Sequence, residues 1–197
     1  MKYLIFALLI FCTATSSYAG GLMMLGGGTP AAAAPTCNTT SDEVTGATSG
    51  SFPIGQYGVT VWMSDKFTAA DTGTVCSVKY RLLYTGTPGS ATLSACLYTD
   101  NAGLPGTLIG TCSAAITESV QFTVGTEQDV TFVNMSAAKT ASTVYHWVVH
   151  RSAANSTNYP SWAQISGYYA NNTNTSVDGT SWSLGGINNQ AKFTAYK

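Results

Sequence analysis

The chain has 197 residues, a formal net charge of −1 and only 9% charged residues, against roughly 25% in an average globular protein. A nucleic-acid-binding surface needs clustered lysine and arginine, and the eight basic residues here are scattered, which excludes that class of partner. The hydrophobic content of 45% suffices for a sizeable core and excludes a disordered chain. We therefore expect one domain with appendages, its surface rich in Ser, Thr, Asn and Gly.

Residues 1–19 have the pattern of a secretory signal peptide. Lys2 supplies the positive start, Leu4–Phe11 is a short apolar core, and Ser17 and Ala19 are small residues at the positions that a signal peptidase reads. The apolar run is shorter than the ~20 residues of a transmembrane helix, so we expect no stable membrane insertion after cleavage. Acylation of Cys12 is the alternative, but Phe11 stands where a lipoprotein peptidase prefers a small residue.

Residues 20–56 are predicted to form a flexible arm before a β-domain at 57–197. The first part, Gly20–Pro35, is uncharged and of low complexity, with flexible glycines and two stiffening prolines. A linker is the simpler interpretation. In the alternative, the apolar segment Leu22–Leu25 docks on a neighbouring molecule or a surface.

The cysteine count is even once the signal peptide is removed, as expected for disulfides in an oxidising compartment. Loss of Cys12 with the signal peptide leaves four cysteines, which suggests two disulfides with three possible connectivities. We favour Cys96–Cys112, because a turn near Leu104 would place them on paired strands, and Cys37–Cys76 then follows by elimination. Four free thiols are the alternative. The cysteine spacing gives no zinc motif.

The mature chain is predicted to be all-β. Leu93, Ala95 and Leu97 alternate with more polar residues, the period of two expected for a strand with one buried face. No segment combines an amphipathic helical period with a start cap and a stop signal. Short strands at regular spacing predict an antiparallel two-sheet β-sandwich of nine or ten strands, of the jelly-roll type. Other predicted strands include Val59–Phe67, Val75–Tyr84, Phe122–Val124, Val130–Val133, Val144–Arg151, Ser161–Ile165, Tyr168–Ala170 and Lys192–Tyr196.

Several short motifs, in order, resemble the choice-of-anchor R-type secreted β-sandwich domains. They are Phe67, Val78–Leu83, Cys96–Asp100 followed by Gly103–Gly106, Tyr145–Val149, Tyr159–Trp162, Asp178–Trp182 and Phe193–Tyr196. This family is similar to the jelly-roll carbohydrate-binding modules of bacterial surface and secreted proteins, so the resemblance implies a sugar-binding sandwich. No C-terminal sorting signal follows these motifs, and we expect any anchoring to use the N-terminal arm or non-covalent contact.

Catalytic motifs are scarce. The two histidines, His146 and His150, share a strand and lie ~13 Å apart at ~3.3 Å per residue, so they cannot share one metal ion. A Ser-His-Asp arrangement stays open, but no Gly-x-Ser-x-Gly elbow supports it. The nine carboxylates offer no preferred pair for glycoside hydrolysis. We therefore expect a protein that is not an enzyme.

The turn at Asp100 and Asn101 is the best candidate cation site. Calcium prefers several oxygen ligands from carboxylates, amides and carbonyls, and a single carboxylate makes such a site weak. In the alternative, these residues serve the turn before Gly103 through backbone hydrogen bonds. The polar loop Asn171–Asp178 is a weaker second place, and no other cofactor is expected.

The C-terminal third combines large aromatic rings with amides. Sugars are bound partly through their C–H faces on flat rings, with amides on the hydroxyls. The candidate ligand-binding residues are Tyr159, Trp162, Tyr168, Asn171 and Trp182. The alternative is that these rings pack in the core, as we expect for Trp147 or Tyr145.

The sequence thus predicts a secreted, disulfide-bonded adhesion or binding module that recognises extracellular surface ligands, with glycans as the favoured class. The competing hypothesis is a structural subunit of a surface filament, envelope layer or virion appendage. Such a subunit would self-associate through the N-terminal arm or by strand addition at a sheet edge.

Overall fold

The computed structural model describes residues 37–56, 61–166, 173–184 and 189–197, without the side chains of Ser166 and Asn189. The predicted signal peptide, residues 20–36 of the predicted arm, Tyr168 and Asn171 lie outside these ranges. Across the described residues the chain forms sixteen strands and one short helix. They are β1 (Thr40–Val44), β2 (Gly50–Pro53), β3 (Trp62–Thr68), β4 (Gly73–Val75), β5 (Ser77–Thr85), β6 (Thr92–Asn101), β7 (Leu104–Ile109), β8 (Ile116–Thr117), α1 (Glu118–Gln121), β9 (Glu127–Phe132), β10 (Ala137–Lys139), β11 (Val144–Arg151), β12 (Tyr159–Ser166), β13 (Thr173–Ser176), β14 (Trp182–Leu184), β15 (Asn189–Ala191) and β16 (Phe193–Tyr196).

Two seven-stranded antiparallel sheets pack against each other, which confirms the predicted β-sandwich. The first sheet has the order β1-β16-β5-β12-β15, with β9 also paired to β5 and β2 to β12. The second has the order β14-β13-β3-β11-β6-β7, with β8 also paired to β6. Strands β4 and β10 form a small separate sheet. The predicted count of nine or ten strands was too low, since several strands have only two to four residues and carry no readable alternation.

The sandwich begins earlier in the chain than residue 57. Strand β1 pairs with β16, with Val44 opposite Phe193, and β2 pairs with β12, with Phe52 opposite Trp162. Residues 40–53 of the predicted arm therefore contribute two strands to the first sheet. Their polar sequence hides this role, because β1 lies at a sheet edge and buries few apolar side chains.

Aromatic side chains fill the space between the sheets. Trp147 from the second sheet is fully buried and stacks on Phe67 with ring centroids 5.8 Å apart. Its ring also meets Phe193 of the first sheet edge-on at 6.2 Å. Flat rings that touch across the two sheets bury large apolar areas and fix the spacing of the layers. The expectation that Trp147 belongs to the core is thereby confirmed.

Both favoured disulfides are present. Cys37 is bonded to Cys76, and Cys96 is bonded to Cys112. The first joins the segment before β1 to the connection between β4 and β5, and the second joins β6 to the segment after β7. Among the described residues, no helix has the length and apolar composition that a bilayer-spanning helix requires.

Candidate functional site

The outer face of the second sheet carries half-exposed aromatic rings. Along β3, Met63 and Phe67 point into the core, so alternation places Trp62 on the outer face. The strand register sets His150 of β11 opposite Trp62 on one side and Ser176 of β13 on the other. The Trp62 and His150 rings are stacked, with centroids 3.9 Å apart and planes 23° from parallel.

A tight turn packs against the Trp62 ring. Gly179 has a φ of +76°, and a Cβ built there would lie 2.9 Å from the indole. Asp178 fixes the turn, because one carboxylate oxygen accepts from the N–H groups of Thr180 and Ser181 at 2.8 and 2.7 Å. These backbone donors hold the pKa of Asp178 well below its usual range. The exposed Asp178 carboxylate is therefore charged at neutral pH.

A second pair of rings meets across the same face. Trp182 of β14 and Tyr98 of β6 are half-buried, and their ring centroids lie 6.5 Å apart in an edge-to-face arrangement. Three strands separate β14 from β6 in the order of the sheet. The sheet must therefore curl strongly for these rings to meet, which makes its outer face concave.

A polar network lies on this concave face. Asn174 donates from Nδ2 to Ser64 Oγ and to the Gly103 carbonyl, each at 3.2 Å. Ser64 Oγ is 3.4 Å from His146 Nδ1, and His146 Nε2 is 2.8 Å from Asp100 Oδ1. Because a carboxylate only accepts, this geometry assigns the His146 proton to Nε2 and lets Ser64 donate to Nδ1. The network therefore links β13, β3, β11 and the end of β6.

Burial decides what this Ser-His-Asp arrangement can do. Ser64 and His146 are fully buried, whereas the Asp100 side chain retains 27% of its surface. Burial lowers the pKa of His146, against the opposing effect of the Asp100 carboxylate. In a serine hydrolase the hydroxyl faces the substrate and the carboxylate is the sheltered member. Here the order is reversed, so the Ser64 hydroxyl is closed to a substrate in this conformation.

Trp162 is not at the surface, so its prediction as a ligand platform was wrong. It is fully buried and stacks on Tyr80 of β5 with ring centroids 5.7 Å apart. Its neighbours Ser161, Ala163 and Gln164 are buried as well. Strand β12 is covered on both faces, which explains why polar neighbours do not indicate exposure here.

The other predicted ligand-binding residues do not form one site with Trp182. Tyr159 is half-buried at the start of β12, in the first sheet, and its hydroxyl accepts from Gln56 Nε2 at 3.0 Å. Trp182 belongs to the second sheet. The roles predicted for Tyr168 and Asn171 lie outside the described residues.

The carboxylate of the predicted calcium site has protein partners. Asp100 accepts from the Gly103 N–H at 3.1 Å, as in the turn alternative, and also contacts His146. Asn101 is exposed at the end of β6. Within the described ranges, no group of three or more His, Cys, Asp or Glu side chains is placed to hold a metal ion. The weak calcium site at Asp100 and Asn101 stays a prediction.

The sequence interpretation overlooked Trp62 and Tyr98. Trp62 alternates with Val61 and Met63, and Tyr98 follows Leu97 on the opposite face of β6. A large aromatic residue on the polar face of an alternating strand was the available signal. The prediction instead placed the ligand site where aromatic residues are most concentrated, nearer the C-terminus.

Comparisons with known proteins found no match to this sequence among family models, curated proteins or solved structures.

Proposed function

We propose that this chain is a secreted, non-catalytic module that binds glycans of an extracellular surface through the concave face of the second sheet. The observation that carries the proposal is the pair of half-exposed rings, Trp182 and Tyr98, on the same side of the sheet as the accessible Asp178 and Asp100 carboxylates. Ligand sites combine apolar and aromatic walls with a few polar groups that fix orientation. The resemblance to choice-of-anchor R-type domains supports the same class.

The chemistry of the face suits a neutral, hydroxylated ligand. Flat rings offer a surface to sugar C–H groups, while the Asp178 and Asp100 carboxylates can accept from hydroxyls. Exposed Leu184 on β14 and Leu108 on β7 extend the apolar area. In this proposal Trp182 and Tyr98 contact the sugar rings directly.

Glycan-array binding followed by calorimetry tests the proposal. We expect Trp182→Ala to weaken binding of the best glycan at least 10-fold, because the ring supplies contact area that no neighbour replaces. The matched control is Val120→Ala, which shortens another exposed apolar side chain, outside this face. Unchanged affinity in Trp182→Ala, or no glycan bound by the natural chain, would contradict the proposal.

A structural subunit is the second candidate, and one cavity favours it. A space of about 780 Å³ lies against the Cys37–Cys76 disulfide and is lined in part by Val133 and Met135. Cys37 lies within the predicted arm, two residues after the low-complexity part Gly20–Pro35, whose apolar segment Leu22–Leu25 could occupy this space in a neighbouring copy. Sedimentation velocity of the chain with and without residues 20–35 separates the two functions. Assembly that depends on these residues supports the subunit, and a monomer at all concentrations opposes it.

A further inference from the structure

A cavity of about 240 Å³ opens among loops at one end of the sandwich. We call it the loop cavity. Its floor is formed by Tyr84, Glu118 and Arg151, and its walls come from the β5–β6 connection and the β11–β12 connection. The wall residues include Thr87, Gly89, Ser90, Ala154, Asn155 and Asn158. Of the predicted ligand-binding residues that the structure describes, Tyr159, Trp162 and Trp182, none lines it.

The floor contains a buried ion pair. Arg151 donates from Nε to Glu118 Oε1 at 2.6 Å and from Nη2 to Oε2 at 3.0 Å. The Tyr84 hydroxyl also donates to Oε2, at 2.7 Å. Glu118 is fully buried and Arg151 retains 2% of its surface. Both carboxylate oxygens are therefore occupied, and the two opposite charges leave the floor neutral.

Stability alone does not explain this pair. Burying two charges has a desolvation cost that their attraction roughly offsets, and apolar replacements are often as stable. Moreover, Arg151 Nη1 is buried and has no hydrogen-bond partner in the protein, although Nη2 donates to the Asn158 carbonyl at 2.8 Å. A buried donor without a partner is unfavourable, and each one in a folded protein calls for an explanation.

The walls of the loop cavity are held in place. The Thr87 N–H donates to Asn158 Oδ1 at 2.7 Å, which ties the two wall loops together. Gly86 has a φ of +76°, and a Cβ there would lie 2.2 Å from that same oxygen. The N–H of Glu118 donates to the Ala91 carbonyl at 2.9 Å, which fixes the floor to the wall. Because these hydrogen bonds already fix the wall loops, ligand binding needs little further ordering of the loops.

We propose that the loop cavity binds a small neutral molecule of about one pyranose ring, whose oxygen atoms contact the polar groups of the wall loops above the neutral Arg151–Glu118 pair. The volume lies below the ~300–1,000 Å³ of sites for drug-sized ligands, which limits the ligand to one ring. An anion would add an uncompensated charge beside Glu118, and burying such a charge is costly. Hydroxyls of Thr87 and Ser90 at the rim can bind further ligand oxygens. This site is independent of the concave face.

Amide chemical shifts of the full mature chain test the site. The titrants are glucose, galactose, mannose and N-acetylglucosamine, with glucuronate as the anionic comparison. For at least one neutral sugar we expect saturable shifts at Gly89, Ser90 and Asn155, with Kd on the order of 1 mM. Glucuronate should bind at least 10-fold more weakly.

Three outcomes would overturn the proposal: no shifts in the wall loops with any neutral sugar, preference for glucuronate, or shifts confined to the concave face. The last outcome would leave the function proposed for that face intact.

A cavity-filling variant tests the location without removing the ion pair, since Arg151 variants risk misfolding. Ala154→Trp should raise Kd for the bound sugar at least 10-fold. The matched control, Ala115→Trp, adds the same side chain at an exposed position away from the cavity and should leave Kd unchanged. Trp182→Ala should also leave it unchanged. Equal affinity in Ala154→Trp and the natural chain would overturn the assignment of the cavity.

Discussion

Asp65 is an acid in the interior of the sandwich, and its titration should set the pH dependence of stability. It lies on β3 with its side chain directed between the sheets, and it is fully buried. Its Oδ2 accepts from the Ala191 N–H of the first sheet at 3.2 Å, whereas Oδ1 has no hydrogen-bond partner. Burial raises the pKa of Asp65 well above the usual aspartate value, and the Ala191 hydrogen bond opposes this only in part.

The direction of the effect follows from proton counting. Between the usual aspartate pKa and the raised pKa of Asp65, the folded chain holds a proton that the unfolded chain has lost. The free energy of unfolding must therefore fall as pH rises through this window, by about 1.4 kcal/mol for each pH unit. The stabilising contribution is complete below the usual aspartate pKa and is lost as pH rises through the raised one.

Asp65→Asn should remove this slope. The amide is neutral at every pH, and its oxygen can still accept from Ala191. As pH rises, we expect the free energy of unfolding of the variant to increase relative to that of the natural chain, by about 2.7 kcal/mol over two pH units inside the window. Urea unfolding at pH 5, 6, 7 and 8, followed by tryptophan fluorescence, measures the difference.

The difference between the two curves isolates Asp65. Burial lowers the pKa values of His146 and His150, so each contributes stability that is lost as pH falls below the usual histidine value. Both proteins share this opposite slope, and it cancels in the subtraction. Asp178→Asn is the control, because Asp178 is exposed with a lowered pKa and stays charged throughout this pH range. Parallel curves for the natural chain and Asp65→Asn would refute the reasoning.

Three further predictions concern the core, the concave face and the disulfides. Trp162→Ala should lower the free energy of unfolding in urea by about 3–5 kcal/mol, as expected for a large buried ring; a loss below 1 kcal/mol would contradict its place in the core. Gly179→Ala should displace the Trp62 ring, visible as a shift of its indole N–H resonance, and an unchanged resonance would show that the turn yields instead. Cys37→Ser with Cys76→Ser should cost about 4 kcal/mol, the chain-entropy value for a 39-residue separation, and unaltered urea stability would oppose it.

The strands and disulfides were readable where local pattern decides the structure. Leu93, Ala95 and Leu97 point into the core as their alternation predicts, and the turn after Asp100 sets Cys96 near Cys112. In β12 the alternation of polar and apolar residues does not predict burial, because both faces of that strand are covered. Trp162 and its polar neighbours Ser161 and Gln164 are all buried. The local sequence pattern describes a single strand. The burial of its side chains depends on the other elements that pack against that strand.

The concave face could not be predicted from spacing. Ser64 and His146 are 82 positions apart, and Asn174 is 110 positions from Ser64. These residues meet because β3 lies between β11 and β13 in the sheet. Strand order is set by the packing of the whole chain, and no short motif records it. For the same reason the Tyr98–Trp182 contact carries no signature in the sequence.

The pairing of β1 with β16 has a kinetic consequence. Glu43 of β1 and Thr194 of β16 are hydrogen-bonded although 151 positions separate them. Contacts of such long range require large loops to close first, and chains dominated by them reach the native state slowly. Strand β1 therefore joins the first sheet only after β16 has been synthesised and docked. Until then the edge of β5 that pairs with β16 stays open. Nascent chains are most vulnerable to aggregation in that interval.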